Sequence, residues 1–416
     1  MHSSRSVTPT GHLSLGTSSE STAGALRRAA LSRELQPLTA PTGEAVLTSL
    51  VPALAAALDG HGPALLPLPT GGTRGAVLAA MEPAQPLERD DIALVVPTSG
   101  STGGPKGVLL TTEALHASAK ATHERLGAPG QWVLALPVSS IAGITVVVRS
   151  LLARTRPEVV DLYGGFSVDA FTAATARLAH GVRHYTALVP TQLRRLLDAG
   201  VDLSPYDAIL VGGAALSPAL HDRAVAADVS VVTTYGMSET CGGCVYDGRP
   251  LDGVSVDLRP DGRIELGGPT VFAGYRLRPD LTADALVDGR HVTQDLGRWS
   301  ADGRLEVLGR ADDVVISGGA NVPAAMVERV LAGHPGVAVC AVVGRPDPEW
   351  GERVVAVVQP VDWSAVPSLD EMRAYAVSSL EPAALPRELV VLGQLPTLPS
   401  GKPDKAAVRT LLREQS

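Results

Sequence analysis

The stretch Pro97-Thr98-Ser99-Gly100-Ser101-Thr102-Gly103-Gly104-Pro105-Lys106-Gly107 comes directly after the β-branched run Ile92–Val96. Such a run predicts a buried strand, so the stretch is expected to be a loop at the end of that strand. Its hydroxyls, four glycines and single lysine can surround phosphate oxygens with N–H and O–H donors while the ammonium offsets negative charge. It is not a Walker A loop, which needs Gly-Lys-Ser/Thr. On its residues alone, a phosphate-binding loop and a plain linker both stay open.

Outward from this loop, short β-branched runs alternate with helical stretches between Asp91 and Gly236. This alternation predicts an α/β fold with a mostly parallel sheet covered by helices. The expected strands are Ile92–Val96, Trp132–Leu136, Glu158–Leu162, His184–Val189, Ala208–Val211 and Val229–Thr234. The expected helices are Glu113–Leu126, Val168–Ala179 and Gln192–Asp198.

The pattern changes twice further along the chain. Between Val254 and Leu308 the helical signals stop, and short strands joined by tight turns predict a β-rich subdomain. After Gly309, two helical stretches and three strand-like runs predict a small α+β domain. We therefore expect a disordered tail over 1–35, a large ATP- and acyl-binding domain over 36–311, and a small mobile lid domain over 312–416.

Composition and charge exclude several classes of protein. The formal net charge is −8 and there is no basic run, which disfavours binding to nucleic acid or to an anionic membrane. The longest uncharged stretch, Gly127–Val148, is interrupted by prolines, glycines and serines, so no transmembrane segment is expected. Three cysteines in 416 residues cannot form a disulfide framework, which favours a reducing compartment and a cytoplasmic protein.

Two further segments carry candidate chemistry. Thr234-Tyr235-Gly236-Met237-Ser238-Glu239-Thr240 ends a predicted strand, and ligands of open α/β sheets collect at the carboxyl ends of strands. Near the C-terminus, Pro399-Ser400-Gly401-Lys402-Pro403-Asp404 places one of the chain's four lysines on a glycine-containing loop. A lone glutamate or lysine in such a place is more often solvated than functional.

The three motifs together resemble the adenylate-forming superfamily, which comprises acyl-CoA ligases, nonribosomal adenylation domains and luciferases. The resemblance follows the family's order from about Pro97 to Arg409. It implies ATP, Mg²⁺ and CoA as cofactors and co-substrates, and a phosphate-binding loop formed by Thr98, Ser99, Gly100, Ser101, Thr102, Gly103 and Lys106.

The resemblance also implies roles for single residues. Tyr235 would stack on adenine beside Gly213 and Gly236, Ser238 would meet the α-phosphate, and Glu239 would hold Mg²⁺. The segments Thr293–Arg298, Gly309–Asp313 and Ser317–Val322 match later motifs, in which Asp295 and Arg310 would contact the ribose, Asp312 would be the hinge, and the Gly319 loop would approach the CoA thiol. Lys402 would bridge the substrate carboxylate and the α-phosphate.

Within the superfamily the chain most resembles the o-succinylbenzoate–CoA ligases of menaquinone biosynthesis, through Leu188–Leu193, Gly212–Leu216 and Glu239–Cys241. Such a substrate carries two carboxylates. Arg195 is the candidate partner of the second one because arginine pairs with carboxylates through two hydrogen bonds. Ser139 and Ser140 stand where relatives often carry a histidine, so they are candidate contacts for the acyl group.

Three hypotheses follow for the function. The first is ligation of an aryl acid to CoA, with AMP and pyrophosphate as the other products. The second is adenylation of another acid, or adenylation that serves a carrier protein. The third is a nucleotide-binding relative without catalysis, which the joint presence of Lys106, Glu239, Asp295, Arg310 and Lys402 opposes. Small molecules are the expected partners, and the sequence leaves a homodimer open.

Overall fold

The computed structural model describes residues 33–99, 104–397 and 403–414. Most of the predicted tail, together with Gly100–Gly103 and Lys402, lies outside the described residues. The end of that tail is ordered, contrary to the prediction, because Leu35 begins the first strand. The guanidinium of Arg33 donates hydrogen bonds to the backbone oxygens of Gly62 (2.9 Å), just before the second strand, and of Ile92 (2.8 Å), the first residue of the third strand, and these bonds fix this end of the chain.

The first sheet carries both ends of the predicted phosphate-binding loop. Its strands, in spatial order, are β1 (Leu35–Thr39), β2 (Ala64–Leu68), β3 (Ile92–Ser99), β4 (Pro105–Thr111) and β14 (Gly274–Tyr275). Strands β1 to β3 are parallel, whereas β4 is antiparallel to both of its neighbours, β3 and β14. Helices α1 (Val51–Leu58) and α2 (Arg74–Met81) lie between its first strands in sequence. Strands β3 and β4 therefore form a hairpin that carries the two ends of the phosphate-loop motif, with Thr98 opposite Lys106.

The second sheet contains the predicted parallel strands. In spatial order they are β11 (Arg249–Pro250), β10 (Gly242–Tyr246), β9 (Val231–Met237), β8 (Ala208–Val211), β7 (His184–Leu188), β5 (Gln131–Leu134) and β6 (Glu158–Val159). Strands β5 to β9 are parallel, and β10 returns antiparallel to β9. The helices of this region are α3 (Thr112–Arg125), α4 (Ile141–Ala153), α5 (Val168–Thr175), α6 (Pro190–Asp198) and α7 (Pro218–Ala226).

A third, antiparallel sheet follows. It consists of β12 (Ser255–Leu258), β13 (Arg263–Gly267), β15 (Leu286–Val287), β16 (Arg290–Trp299) and β17 (Leu305–Arg310). The expectation that this region has no helix is wrong, because α8 (Pro279–Ala285) lies between β14 and β15. Pro279 at its first turn and Asp280 beside it are favourable at a helix N-terminus, although the helix is too short to show a clear periodic pattern.

The C-terminal region forms a fourth sheet with its own core. Its elements are β18 (Val314–Ser317), β19 (Ala320–Pro323), α9 (Ala324–Leu331), β20 (Val337–Asp347), β21 (Gly351–Pro360), α10 (Leu369–Ala376), β22 (Glu388–Val391) and α11 (Lys405–Glu414). Buried residues of α9, β20, β21 and α10 pack on one face of this sheet, and those of α11 pack on the other. The predicted fold class is confirmed, with a large α/β part, a β-rich sheet and a small α+β part.

Two observations concern the cysteines and the expected absence of a transmembrane segment. Cys241, Cys244 and Cys340 are all buried and free. Within the described ranges, no helix has both the length and the apolar character needed to cross a membrane.

Candidate active site

Lys106 and Glu239 come together from two different sheets. Lys106 lies on β4 of the first sheet, and Glu239 lies in the 3-10 turn Ser238–Thr240 directly after β9 of the second. The Nζ of Lys106 is 3.5 Å from the Oε1 of Glu239. Both Ser238 and Glu239 are buried. The structure therefore brings together an ammonium and a carboxylate that the sequence predicted separately.

Tyr275 joins this pair, and the sequence analysis missed it. Its phenol donates a 2.7 Å hydrogen bond to the Oε1 of Glu239 and accepts one of 3.2 Å from the Nζ of Lys106. The same ammonium lies 4.4 Å from the centroid of the Tyr275 ring. Burial, with the Glu239 carboxylate next in importance, raises the pKa of Tyr275, so the phenol keeps its proton as the donor to Glu239.

Two glycines allow the backbone to pack closely around this pair. A Cβ on Gly107, next to Lys106, would lie 2.3 Å from the Sδ of Met81. A Cβ on Gly236 would lie 2.1 Å from the backbone oxygen of Gly242 on the return strand. The clash at Gly236 is with backbone, so glycine is needed there. A side chain at Gly107 would require the flexible end of Met81 to move, and its Cβ would also lie 2.9 Å from the Cγ1 of Val95.

A second polar cluster lies around Asp295 on β16. The phenol of Tyr235 donates a 2.9 Å hydrogen bond to its Oδ2, and the Nη1 of Arg310 is 3.7 Å from its Oδ1. Arg310 lies opposite Asp295 in the pairing of β16 with β17. Burial raises the pKa of Asp295, against the opposing effects of Tyr235 and Arg310. The predicted adenine and ribose residues are thus neighbours.

The predicted hinge follows immediately. Asp312 lies in the 3-10 turn Ala311–Asp313 between β17 and β18, and its carboxylate accepts two hydrogen bonds, 2.8 and 2.7 Å long, from Nε and Nη2 of Arg310. These bonds lower the pKa of Asp312. Gly319 lies at the exposed tip of the β18–β19 hairpin, with a φ of +80° that favours glycine.

A cavity of about 130 Å³ lies beside the carboxyl ends of β7, β8 and β9. At its exposed end are Gly213 and Gly236, both predicted nucleotide residues. At its buried end are Arg149 of α4 and Tyr246 of β10. Most of the wall between them is apolar and includes Leu136, Ile141, Ala142, Ala187, Leu188, Val189 and Leu210. The cavity can accept an apolar group that extends inward from the strand ends.

The predicted contacts for the acyl group do not line this cavity. Ser140 is the N-cap of α4, where its Oγ donates 2.8 Å to the oxygen of Pro137 and accepts from the backbone N–H of Gly143. Ser139 is half-buried next to it, and neither serine is among the cavity residues. Arg194 and Arg195 are both exposed on α6, because its buried side is formed by Gln192, Leu193 and Leu196.

The remaining loop residues are described in part. Thr98 is half-buried, and its Oγ1 donates 3.3 Å to the backbone oxygen of Lys106. Ser99 pairs with Pro105 at the end of the hairpin. The other predicted residues of this loop, Gly100–Gly103, and Lys402 lie outside the described part of the chain.

No group of three or more His, Cys, Asp or Glu side chains suited to a metal occurs in the described part of the chain. Glu239 remains as a single buried carboxylate, and its Oε1 is occupied by Tyr275. Mg²⁺ in nucleotide sites commonly takes one or two protein carboxylates, with phosphate oxygens and waters as the other ligands. Glu239 fits that pattern as one ligand, and a site formed by protein groups alone does not fit.

Comparison with known protein families gives two matches. A family model described as AMP-binding enzyme matches residues 27–278. A second model, described as AMP-binding enzyme C-terminal domain, matches residues 326–402. The first model alone covers more than half of the chain.

Individual relatives agree with these matches. The chain is 44% identical over 381 residues to a probable 2-succinylbenzoate–CoA ligase of Mycobacterium tuberculosis, covering 90% of this chain and 97% of the relative. It is similar to the structure of o-succinylbenzoate CoA synthetase (MenE) from Bacillus subtilis in complex with the intermediate OSB-AMP. In that comparison the TM-score is 0.73 and the identity 25%, over 92% of this chain and 90% of that one. Against ATP-bound MatB from Rhodopseudomonas palustris the TM-score is 0.77 and the identity 25%, over 94% and 91%.

Proposed function

The chain belongs to the AMP-binding enzyme family and is an AMP-forming acid–thiol ligase, and we propose that the acid it activates is 2-succinylbenzoate. The products would be 2-succinylbenzoyl-CoA, AMP and pyrophosphate, and the reaction would be a step of menaquinone biosynthesis. The observation that carries the chemistry is the convergence of Lys106 and Glu239 at one Tyr275 phenol. The choice of acid is supported by the relative at 44% identity, which the chain covers almost completely.

In the first half-reaction, a carboxylate oxygen of the acid attacks the α-phosphorus of ATP. The bond from that phosphorus to the bridging oxygen breaks, and pyrophosphate leaves with the electron pair. Negative charge accumulates on the phosphates, and fixed cations offset it most effectively where water is excluded. Lys106, on the hairpin strand that follows the phosphate loop, supplies one such cation. Lys402 supplies a second one at the attacking carboxylate.

Glu239 would hold Mg²⁺ through its carboxylate, together with phosphate oxygens of the nucleotide. When bound, Mg²⁺ acts as a Lewis acid that stabilises charge on the phosphoryl oxygens. The Tyr275 hydrogen bond holds the Oε1 of Glu239 in place, and the Nζ of Lys106 lies 3.5 Å from the same oxygen. Tyr235 and Asp295 receive the adenosine, with Arg310 at the ribose.

In the second half-reaction, the thiol of CoA attacks the acyl carbon of the adenylate and AMP leaves. We place the hinge at Asp312, at the boundary between a large domain over 36–311 and a lid over 312–416. Rotation there would withdraw Lys402 and bring the Gly319 loop towards the thiol. Closure of the lid keeps water from the mixed anhydride. A homodimer and a cytoplasmic location stay predictions from the sequence.

Product analysis tests this proposal. Wild type and Lys402→Ala would be incubated with ATP, Mg²⁺, CoA and one acid at a time: 2-succinylbenzoate, benzoate or a fatty acid. We expect AMP and a thioester with 2-succinylbenzoate alone. The variant should lose adenylation and still convert the supplied acyl-adenylate to thioester. Lys120→Ala is the matched control, because Lys120 is an exposed lysine of α3 that pairs only with Glu124 in the described structure.

Each other outcome rejects a defined part of the proposal. AMP formed only with another acid rejects 2-succinylbenzoate and keeps the ligase. Pyrophosphate release with a poor response to free CoA indicates a carrier protein as the acceptor. If the Lys402 variant adenylates at the wild-type rate, the proposed role of Lys402 is wrong.

A further inference from the structure

Arg149 is a buried cation at the inner end of the cavity. It lies on α4 and is only 3% exposed, yet it is one of the residues that line the cavity. Among the described residues of the cavity wall, it is the only charged one. An arginine in an apolar wall is unusual, because burying a charge without an opposite charge is strongly unfavourable.

The partners of Arg149 within the chain are weak. Its Nη2 lies 3.4 Å from the Tyr246 hydroxyl, which is near the limit of a hydrogen bond, and its Cζ lies 5.1 Å from the Trp132 ring centroid. Its Nε is buried and has no hydrogen-bond partner. Among the described residues, no carboxylate forms an ion pair with it. The Nε and Nη2 of the planar guanidinium are therefore left without a strong acceptor.

A nearby histidine adds no second positive charge near pH 7. His123 of α3 is buried, and its Nε2 has no hydrogen-bond partner. Burial, followed by the charge of Arg149, lowers the pKa of His123 to about 4. His123 is thus neutral near pH 7, and the positive charge of Arg149 faces the cavity alone.

We propose that Arg149 binds a second carboxylate of the acid substrate at the buried end of the cavity, so that the enzyme selects dicarboxylic acids whose two carboxylates are separated by an apolar body. Guanidinium and carboxylate match through two parallel hydrogen bonds. The first carboxylate then lies towards Gly213 and Gly236, at the strand ends where adenylation takes place. This inference rests on the proposed function and deepens it. It replaces Arg195, which is exposed on α6, as the partner of the second carboxylate.

The test compares one dicarboxylate with its two monocarboxylate analogues. 2-Succinylbenzoate has a chain and a ring carboxylate, 4-oxo-4-phenylbutanoate lacks the ring carboxylate, and 2-butanoylbenzoate lacks the chain carboxylate. Acid-dependent pyrophosphate exchange gives kcat and KM for each acid. The variants are Arg149→Met, which keeps the length and apolar stem of the side chain, and Arg195→Met as the exposed control.

For the dicarboxylate 2-succinylbenzoate, we expect Arg149→Met to raise KM by about 10- to 100-fold, the loss typical of a hydrogen-bonded charge pair. The kcat/KM of the analogue that is still adenylated should change by less than about threefold, since that acid brings no charge to Arg149. The preference for the dicarboxylate should therefore disappear. Arg195→Met should alter neither acid.

Three results would overturn the assignment. An equal loss with both acids would show that Arg149 only supports the fold. An unchanged KM for the dicarboxylate would show that its second carboxylate lies elsewhere. A selective loss in Arg195→Met would return the role to Arg195. If Arg149→Met does not fold, Arg149→Lys keeps the cation and loses the paired geometry, and it must then show a reduced preference for the dicarboxylate.

Failure of the proposed function itself gives a different result. If wild type does not adenylate 2-succinylbenzoate, the choice of acid is wrong while the Arg149 site can still be judged. Thermal shift with a panel of aryl dicarboxylates and their monocarboxylate analogues would then be measured for wild type and Arg149→Met. The inference requires that a dicarboxylate stabilise wild type and not the variant, and equal shifts in the two proteins would reject it.

Discussion

The phenol of Tyr275 donates a 2.7 Å hydrogen bond to the Oε1 of Glu239. Glu239 follows β9 of the second sheet, whereas Tyr275 lies on the edge strand β14 of the first. This bond therefore connects two sheets at the point where the phosphate-loop hairpin and the end of β9 meet. Because Lys106 also donates to the same phenol, one hydroxyl fixes both the cation and the carboxylate of the candidate site.

Tyr275→Phe should slow adenylation while leaving the ring in place. The variant keeps the aromatic surface beside Lys106 and loses the donor to Glu239. Hydrogen bonds to charged groups contribute about 1.5–3 kcal/mol, so kcat should fall about tenfold or more. Pyrophosphate exchange measures the change. Tyr163→Phe, at an exposed position, is the control, and a wild-type rate in Tyr275→Phe would show that the phenol does not position the site.

Glu239→Gln should weaken the response to Mg²⁺. The amide keeps the shape of the side chain and removes the charge that attracts the cation, so we expect half-maximal activity to need at least about tenfold more Mg²⁺. A titration of initial rate against Mg²⁺ at fixed ATP measures this. Glu124→Gln removes an exposed carboxylate of α3 and should not shift the titration. An equal shift in both variants would argue against Glu239 as a ligand.

The sequence predicts Lys106 and Glu239 because each lies in a motif contained within one segment of the chain. Tyr275 could not be predicted in the same way. It reaches Glu239 only because β14 pairs with β4, placing Tyr275 opposite Val108 across a long separation in sequence. The two-residue strand β14 gives no periodic signal. Contacts that depend on pairing between distant strands are the part of the site that the sequence left undetermined.

Two arginines show that the sequence also suggests a contact that the structure lacks, and misses one that the structure has. Arg195 follows a strand and a proline, so its position suggested a substrate contact, yet the apolar side of α6 turns it outward. Arg149 lies in the apolar run Val146-Val147-Val148-Arg149, where a charge looks like an interruption of a buried helix. Only the packing of α4 beside β10 shows that it lines a cavity. Helical periodicity predicts which face is buried, and it does not predict what that face contacts.

Asp295→Asn should weaken the binding of ATP and change how the free energy of unfolding depends on pH. Burial raises the pKa of Asp295, so its contribution to stability is full below the unfolded value of about 3.9 and is lost as the pH rises through the folded pKa. Asparagine avoids that loss. The free energy of unfolding of the variant relative to wild type should increase with pH, while the KM for ATP rises because the ribose contact is lost. Denaturant unfolding between pH 4 and 8 measures this trend.

The matched control for that experiment is Asp302→Asn, an exposed carboxylate on a turn. The pKa of Asp302 is lowered by its hydrogen bond to Ser300. The free energy of unfolding of Asp302→Asn relative to wild type should therefore decrease with pH, the opposite of the trend expected for Asp295→Asn. If both variants follow wild type at every pH, burial does not determine the titration of Asp295.

His123→Phe should make the protein less sensitive to acid. The pKa of His123 is lowered from 6.5 to about 4, so its neutral form contributes stability above pH 6.5 that is lost as the pH falls through 4. At about 1.4 kcal/mol per pKa unit, this loss is up to about 3 kcal/mol. The free energy of unfolding of the variant should fall less than that of wild type between pH 6.5 and 4. His180→Gln, at an exposed position, should behave like wild type.

Arg276→Met should destabilise the large domain and weaken ATP binding together. The guanidinium of Arg276 is fully buried and donates to the backbone oxygens of Met81, Glu82, Gln85 and Pro86 and to the Glu88 carboxylate. Its removal leaves these acceptors without their donor, at a cost of about 3 kcal/mol or more. A Cβ on Gly107 would lie 3.1 Å from the Cβ of Arg276, so the same side chain supports the strand that carries Lys106.

Arg278→Met is the matched control. It removes an exposed arginine that pairs with Asp280, and it should change neither the stability nor the binding of ATP. If Arg276→Met unfolds at the same denaturant concentration as Arg278→Met, the buried network does not stabilise this part of the fold.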